Sequence, residues 1–360
     1  MDCVEWIYTI FLNWFQAQEQ MANVLVTGGA GFIGAHVAKE LLEKGYLVTV
    51  LDDLSGGFVE NVDKRATFVK GSITDRELIN ALFAEKKFDY VFHLAAYAAE
   101  GLSHFIKHFN YTNNVLGSIN LINAAVNHDI KCFVFTSSIA VYGKNQVPMH
   151  EDMIPAPEDS YGIAKYTIEQ ELKASHEMFG LNYVIFRPHN VYGELQNIGD
   201  KYRNVIGIFM NQIMHGKDIT VFGDGEQTRA FSYIGDVAPI IAKSIETPAA
   251  HGHVFNVGAD IPYTVNQLVE TVKKHMNAPN HPFIKLPPRN EVKHAHSDHA
   301  KARKVFGDAP ATHLDAGVAK MAAWAKEVGA RKSTSFDNIE VLKNLPPSWL
   351  AEVSGLTTPR

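Results

Sequence analysis

Cysteine is scarce: Cys3 and Cys132 are the only two in 360 residues. That excludes a disulfide framework and fits a reducing compartment, so a cytoplasmic protein is expected. Cys132 opens an apolar stretch and reads as a small hydrophobe. Positive charge is also in short supply, with 33 Lys and Arg against 39 Asp and Glu for a net charge of −6. No run of Lys and Arg makes a local patch, so nucleic acid is not an expected partner. No apolar run is long enough for a membrane span. Val4 to Phe15 is apolar and aromatic but short, has no basic flank, and sits beside Asp2 and Glu5, which oppose a secretory signal. Residues 1–20 read instead as an extension outside the main fold. Internal repeats are missing too. The histidines of His294-Ala295-His296-Ser297-Asp298-His299 have no matching ligand helix and read as loop residues, so no metal is expected.

What is present is an ordinary globular composition, 46% hydrophobic, in which strand and helix patterns alternate. Strands are expected at Val24–Thr27, Leu47–Leu51, Thr67–Lys70, Tyr90–Leu94, Phe133–Thr136 and Tyr183–Phe186. Helical periodicity separates most of them, notably at Asp75–Lys86, His104–His128 and Tyr161–Phe179. The fold class is α/β: a doubly wound parallel-sheet Rossmann domain over residues 21–190. After about residue 188 the alternation loosens, so residues 191–330 are read mainly as a smaller α/β substrate-binding lobe, with some chain returning to the first domain. Residues 331–360 form a tail.

Two motifs carry the chemistry. Val26-Thr27-Gly28-Gly29-Ala30-Gly31-Phe32-Ile33-Gly34 joins a buried strand to a helix. Glycines at 28, 31 and 34 permit a tight turn, close approach of backbone N–H groups to a pyrophosphate, and close helix–strand packing. The next strand ends in Asp52-Asp53-Leu54, and a carboxylate there accepts from both ribose hydroxyls and repels a 2′-phosphate, favouring NAD. Far downstream, Tyr161-Gly162-Ile163-Ala164-Lys165 places a phenol and an ammonium one helical turn apart. The lysine, with an oxidised nicotinamide nearby, is expected to make a group that normally titrates near ~10 usable as a base.

With these residues in order from Asn23 to about Gly329, the sequence resembles the extended short-chain dehydrogenase/reductases, and within them the NAD-dependent nucleotide-sugar epimerases of the UDP-glucose (galactose) 4-epimerase type. The resemblance implies that Gly28, Gly31, Phe32, Ile33 and Gly34 hold the pyrophosphate and Asp52, with Asp53 and Leu54, the adenosine ribose. Ser72, where the family usually has Asp, and Ile73 would lie by the adenine. Leu94, Ala95 and Ala96 would admit the nicotinamide ribose, Asn114 would support the site, and Pro188 would pack near the nicotinamide. Tyr161 would be the base, Ser138 of Thr136-Ser137-Ser138 the hydroxyl on the reacting oxygen, and Lys165 the residue that tunes Tyr161 and binds ribose.

For a UDP-sugar partner the resemblance assigns Asn190, Asn204, Arg229 and Arg289 to the diphosphate and Thr220 and Phe222 to the uracil, with Tyr97 to Gly101 lining the sugar pocket. It implies C4 epimerisation of a UDP-hexose through a 4-keto sugar. Nucleotide-sugar dehydratases use an Asp-Glu pair where this chain has Ile139 and Ala140, neither able to move a proton. Epimerisation or decarboxylation of UDP-glucuronate is the alternative. Ala295 falls near a position that gates N-acetylated sugars, and a small residue there implies room for them. A non-catalytic NAD-binding sensor or scaffold would have no need of Tyr161, Lys165 and Ser138 together. The helical stretches His104–His128 and Tyr161–Phe179 match those that form a homodimer in the family.

Overall fold

In a computed structural model of the chain, residues 22–144, 147–288, 292–308, 311–333, 336, 338–346 and 349 are described. The apolar extension at Val4–Phe15 and Arg289 lie outside them. Seven parallel strands form the central sheet. Numbered in chain order they are β1 (Asn23–Thr27), β2 (Leu47–Asp52), β3 (Thr67–Lys70), β4 (Tyr90–His93), β5 (Cys132–Thr136), β6 (Tyr183–Pro188) and β7 (His253–Val257). Their spatial order is β7-β6-β5-β4-β1-β2-β3, so the order reverses beside β1, where ligands of open α/β sheets bind. Six of the strands fall where alternation placed them. β7 was not foreseen: His253-Val-Phe-Asn-Val has too little apolar content to stand out, and it becomes a strand because β6 offers it a full ladder, His253 opposite Val184 through Val257 opposite Pro188.

Side chains alternate across the sheet. Val24 and Val26 face one core layer with Val37, Leu41, Val237 and Ile241, whereas Leu25 faces the other with Ile79, Phe83, Leu121 and Leu172. Helix α1 (Phe32–Glu43) and the helix Ile234–Lys243 pack together on the first face. On the second lie α2 (Arg76–Lys86), α3 (Gly117–Asn127) and α4 (Ser160–Phe179). Asp75 caps α2 through the Leu78 N–H, and Asp159 caps α4 through the Gly162 N–H at 2.8 Å.

The stretch expected as one helix from His104 to His128 is broken. It starts as a turn at Glu100–Ser103, resumes at Lys107–Tyr111, widens into a π turn at Thr112–Leu116 and only then becomes α3. The π turn has a local purpose, since it contains Asn114, whose buried side chain is fully engaged with neighbouring backbone. Beyond β6 the chain forms short pieces: a helix at Val205–Met214, the pair Ile219–Phe222 with Phe283–Leu286, and the three-stranded ribbon Pro262–Thr264, Thr228–Ala230 and His294–Ala295. Among the described residues no helix is long and apolar enough to cross a membrane.

Candidate active site

The glycine turn is shaped by contacts that only hydrogen atoms tolerate. Gly28 has φ +70°, and a Cβ on it would lie 2.7 Å from the Ala95 nitrogen; one on Gly34 would lie 2.1 Å from the Gly28 carbonyl oxygen. The turn is closed by Gly31 N–H donating to Gly28 O at 3.0 Å. Gly31 caps α1 without any side-chain bond, which leaves the first N–H groups of the helix directed at whatever anion enters. Phe32 and Ile33 are half-buried in this first turn. Asp52, 7% exposed, braces the same loop by accepting from Ala30 N–H at 3.0 Å and Leu54 N–H at 2.8 Å. Burial pushes its carboxyl up and those N–H groups pull it down. Asp53 is exposed and accepts from Ser55 N–H, and Leu54 takes φ 64°. At the end of β5 the buried Thr136 hydroxyl has no hydrogen-bond partner among the described residues. A cradle too tight for Cβ atoms and an uncapped helix start fit a dinucleotide.

Ser72 bonds Thr74 at 2.8 Å, and Ile73 packs against Gly117 at the start of α3. Leu94, Ala95 and Ala96 follow β4 in half-buried positions, with Leu94 N–H on Thr27 O. Asn114 clamps Tyr97, accepting from its N–H at 2.8 Å and donating to its carbonyl at 3.1 Å. Pro188 is the buried last residue of β6.

One chain of bonds here escaped the sequence reading. The Ser118 hydroxyl is committed to the Asn114 carbonyl at 2.8 Å. His93, wholly buried, must therefore donate through Nε2 to Ser118 and accept at Nδ1 from Thr27, both at 2.8 Å, while Thr27 in turn accepts from Ala95 N–H. Burial, helped by the Lys165 charge, holds His93 well below the usual imidazole range, so it stays neutral.

Tyr161, Ser138 and Lys165 come together at the carboxyl ends of β5 and β6. The Ser138 hydroxyl acts on the Tyr161 phenol, pulling it down, and accepts from Ala140 N–H at 3.1 Å. Lys165 Nζ lies 5.8 Å from the centre of the Tyr161 ring and 4.7 Å from that of Phe135, and donates to the Thr136 carbonyl at 2.8 Å. Burial lowers Lys165 to about 7 against the opposing pull of Glu169. Burial, then Glu100, push the phenol up; Ser138 and Arg203 pull it down and Asp159 adds to the rise. The protein alone thus holds Tyr161 protonated, and added positive charge is needed to make it a base.

Glu169 and Arg187 are functional-site neighbours with no sequence signal beyond their position on α4 and β6. Their side chains are 0% and 2% exposed. Glu169 accepts from Arg187 Nε at 2.9 Å, from Arg187 Nη2, and from the Ser137 hydroxyl at 2.6 Å. This pair pins the residue before Ser138 to the helix that carries Tyr161 and Lys165.

The residues assigned to substrate are spread over the lobe. Asn190 is exposed, has φ 41° and donates to Ala230 O at 3.2 Å; Asn204 is exposed with φ 63° and precedes the helix Val205–Met214. Thr220 and Phe222 share the strand Ile219–Phe222, Thr220 accepting from Gln212 at 3.0 Å. Arg229 spans to the loop before His294, donating to the carbonyls of Thr228, Val292 and Lys293 at 2.9, 2.6 and 3.0 Å. Ala295, 7% exposed, packs in one cluster with Ile139, the residue after Ser138. Arg203, salt-bridged to Asp200, lies with its guanidinium 4.9 Å from the centre of the Tyr97 ring. The histidines of the 294–299 run have other partners: His294 binds Thr228, and His299 binds Asp260, Ser297 and His189.

A Rossmann sheet with a Tyr–Lys pair and a serine gathered at its carboxyl edge defines a dinucleotide-dependent protein equipped for proton and hydride chemistry on an alcohol. Residues 24–258 match the NAD dependent epimerase/dehydratase family. The chain belongs to that family, is an enzyme of it, and has NAD as its cofactor. Solved structures agree. The UDP-glucose 4-epimerase of Thermotoga maritima with UDP-glucose is 36% identical, with TM-score 0.80 over 85% of this chain and 99% of its own. A UDP-N-acetylglucosamine 4-epimerase of Methanobrevibacter ruminantium is 32% identical, with TM-score 0.79 over 85% and 99%. A UDP-glucuronic acid 4-epimerase of Bacillus cereus, with UDP-glucuronic acid and NAD, is 27% identical, with TM-score 0.78 over 85% and 99%. This chain therefore carries residues beyond those the three structures match.

Proposed function

We propose that this enzyme inverts C4 of a UDP-hexose, interconverting UDP-glucose and UDP-galactose through a 4-keto sugar. The observation that carries this is the gathering of Tyr161, Ser138 and Lys165, with Lys165 Nζ 5.8 Å from the centre of the Tyr161 ring and Ser138 acting on its phenol, at the edge of the glycine-turned sheet. NAD held by Gly28, Gly31, Gly34 and Asp52 supplies the hydride acceptor and the positive charge that the site lacks on its own. Tyr161 takes the proton from the sugar 4-hydroxyl and later returns it. Ser138 holds the reacting oxygen, and Lys165 keeps its ammonium toward the ribose side while anchored to Thr136 O. Residues 21–190 with β7 bind the dinucleotide, and Asn190 together with Asn204, Thr220, Phe222 and Arg229 from the pieces at 191–330 binds the nucleotide of the substrate. We assign the protein to a homodimer through the helices at 107–127 and 160–179.

Neutral sugars are favoured over uronates. Glu100 and Asp159 push the Tyr161 phenol up against the pull of Arg203, and Arg203 is already paired with Asp200. A sugar carboxylate gains nothing there. The buried Ala295 beside Ile139 leaves the side chain small where a 2-acetamido group would need space, so UDP-N-acetylhexosamines are accepted as well. Incubating the purified protein without added cofactor with UDP-glucose, UDP-galactose, UDP-N-acetylglucosamine and UDP-glucuronate, then separating products, tests the assignment. Tyr161→Phe is expected to lower kcat by roughly 10²–10⁴ with NAD still bound; wild-type turnover in that variant removes Tyr161 as the base.

A further inference from the structure

The carboxy-terminal residues reach back over the part of the site that meets the sugar. Beyond the helix Leu314–Val328, Arg331 is tied to the helix Val205–Met214 by reciprocal bonds with Asn211, both 2.9 Å. Phe336 then packs against Tyr97 and Phe109, with ring centres 5.2 and 4.9 Å apart, and its N–H donates to the Tyr202 hydroxyl at 3.2 Å. Glu340 caps the helix Lys107–Tyr111 from outside, one carboxylate oxygen on His108 N–H at 2.7 Å and the other on Phe109 N–H at 2.8 Å. Trp349 sits between Phe105 and Tyr202, 6.0 and 5.1 Å away, in one buried cluster with Ala99 and Leu102.

These contacts converge on Tyr97 and Arg203, the second of which acts on the Tyr161 phenol. Tyr97 is packed between the Phe336 ring and the Arg203 guanidinium, and its backbone is clamped by Asn114. Arg203 follows Tyr202 directly and acts on the Tyr161 phenol. The turn Glu100–Ser103 is joined to α4 by the Ser103 hydroxyl, which accepts from Tyr161 N–H at 3.1 Å and donates to the Glu100 carbonyl at 2.6 Å. One carboxy-terminal aromatic thus touches both the strand-end segment that follows β4 and the loop Asp200–Arg203 of the lobe. Trp349 makes a second bridge, from Tyr202 to Phe105, and the Arg203–Tyr97 contact a third.

We propose that Phe336, supported by Glu340 and Trp349, completes the wall of the sugar site as a positioning residue: it fixes Tyr97 and the Tyr202–Arg203 loop against each other and so sets how the hexose is held. The inference rests on the nucleotide-sugar reading above. It makes the effect local to the sugar, because among the described residues Phe336 meets Tyr97, Phe109 and Tyr202, which lie outside the glycine turn and the strand Ile219–Phe222.

The test is calorimetric binding of UDP-glucose and of UDP to the full-length protein as purified with its NAD, alongside steady-state kinetics. Phe336→Ala is expected to weaken UDP-glucose about tenfold, which is roughly 1.4 kcal/mol. UDP binding and NAD content should stay unchanged, with most of the kinetic loss in KM rather than kcat. Phe336→Tyr should restore wild-type affinity. Unchanged UDP-glucose binding in Phe336→Ala overturns the proposal, as does equal weakening of both ligands together with loss of NAD, which marks general loosening. Should Phe336→Ala fail to fold, Phe336→Leu takes its place and must show the same selective loss at smaller size. Wild-type protein that binds neither UDP nor UDP-glucose removes the functional reading itself, a result distinct from indifferent variants of a wild type that binds.

Discussion

Replacing Glu169 by Gln removes one negative charge and almost no volume, yet it should cost about 3–5 kcal/mol of stability. The figure follows from what stays behind. Arg187 is 2% exposed, cannot shed its proton, and loses the only carboxylate in contact with it among the described residues. The amide cannot stand in. Glu169 accepts on both oxygens, from Arg187 on each side and from Ser137, so either orientation of Gln turns an NH₂ toward a donor. A surface pair would be worth only about 0.2–1 kcal/mol, which gives the experiment a clear margin. Guanidinium unfolding should be followed at saturating NAD for both proteins, since bound cofactor adds its own stabilisation. The midpoint is expected to fall, and Tm by roughly 4–7 °C. Glu169→Leu combined with Arg187→Met should recover to within about 1–2 kcal/mol of wild type, because an apolar pair of similar volume does not strand a charge. A loss below about 1 kcal/mol in Glu169→Gln would refute the reasoning and mean that water reaches the pair.

Two more outcomes follow from the site. Gly34→Ala places a methyl group 2.1 Å from Gly28 O and 2.9 Å from Gly29 Cα, backbone atoms with no freedom to move aside. It should cost about 1–3 kcal/mol and yield protein purified without NAD, whereas Gly31→Ala, whose nearest contact is 3.1 Å, keeps some; equal cofactor content in Gly34→Ala and wild type contradicts this. Lys165 titrates at about 7 in the folded chain against 10.5 when unfolded. Below about pH 7 both states hold the proton and the full burial penalty applies; as pH rises from about 7 toward 10.5 the folded state sheds the proton first, so stability rises with pH. Lys165→Met should remove that upward slope between pH 7 and 9, read from denaturation midpoints, and parallel slopes in the two proteins would be inconsistent with it.

The cofactor turn was legible because glycine is the one residue that its tight contacts admit, and the spacing of Gly28, Gly31 and Gly34 survives in any sequence that makes the turn. Six strands were legible for a related reason: a doubly covered sheet demands continuous apolar runs such as Leu47–Asp52. Tertiary partners left no such trace. Glu169 and Arg187 are 18 positions apart on a helix and a strand, and nothing local marks them as a pair. Glu340 caps a helix 231 residues earlier, which no capping pattern can reveal. Arg229 was read as a diphosphate ligand, and its bonds to the carbonyls at 228, 292 and 293 could be found only once the ribbon Thr228–Ala230 with His294–Ala295 was seen. For Tyr161, motif spacing supplies the lysine but not the burial or Glu100, which push the phenol up.

The late arrival of β7 has a consequence during synthesis. β6, buried along its whole length in the finished protein, ends at Pro188, and the strand that covers its outer edge ends at Val257. A ribosome adding residues at about 5–20 per second leaves that edge bare for roughly 3–14 s. For that interval the nascent chain displays Tyr183-Val-Ile-Phe as an open template for any passing strand, which makes this protein a natural client for cotranslational chaperones.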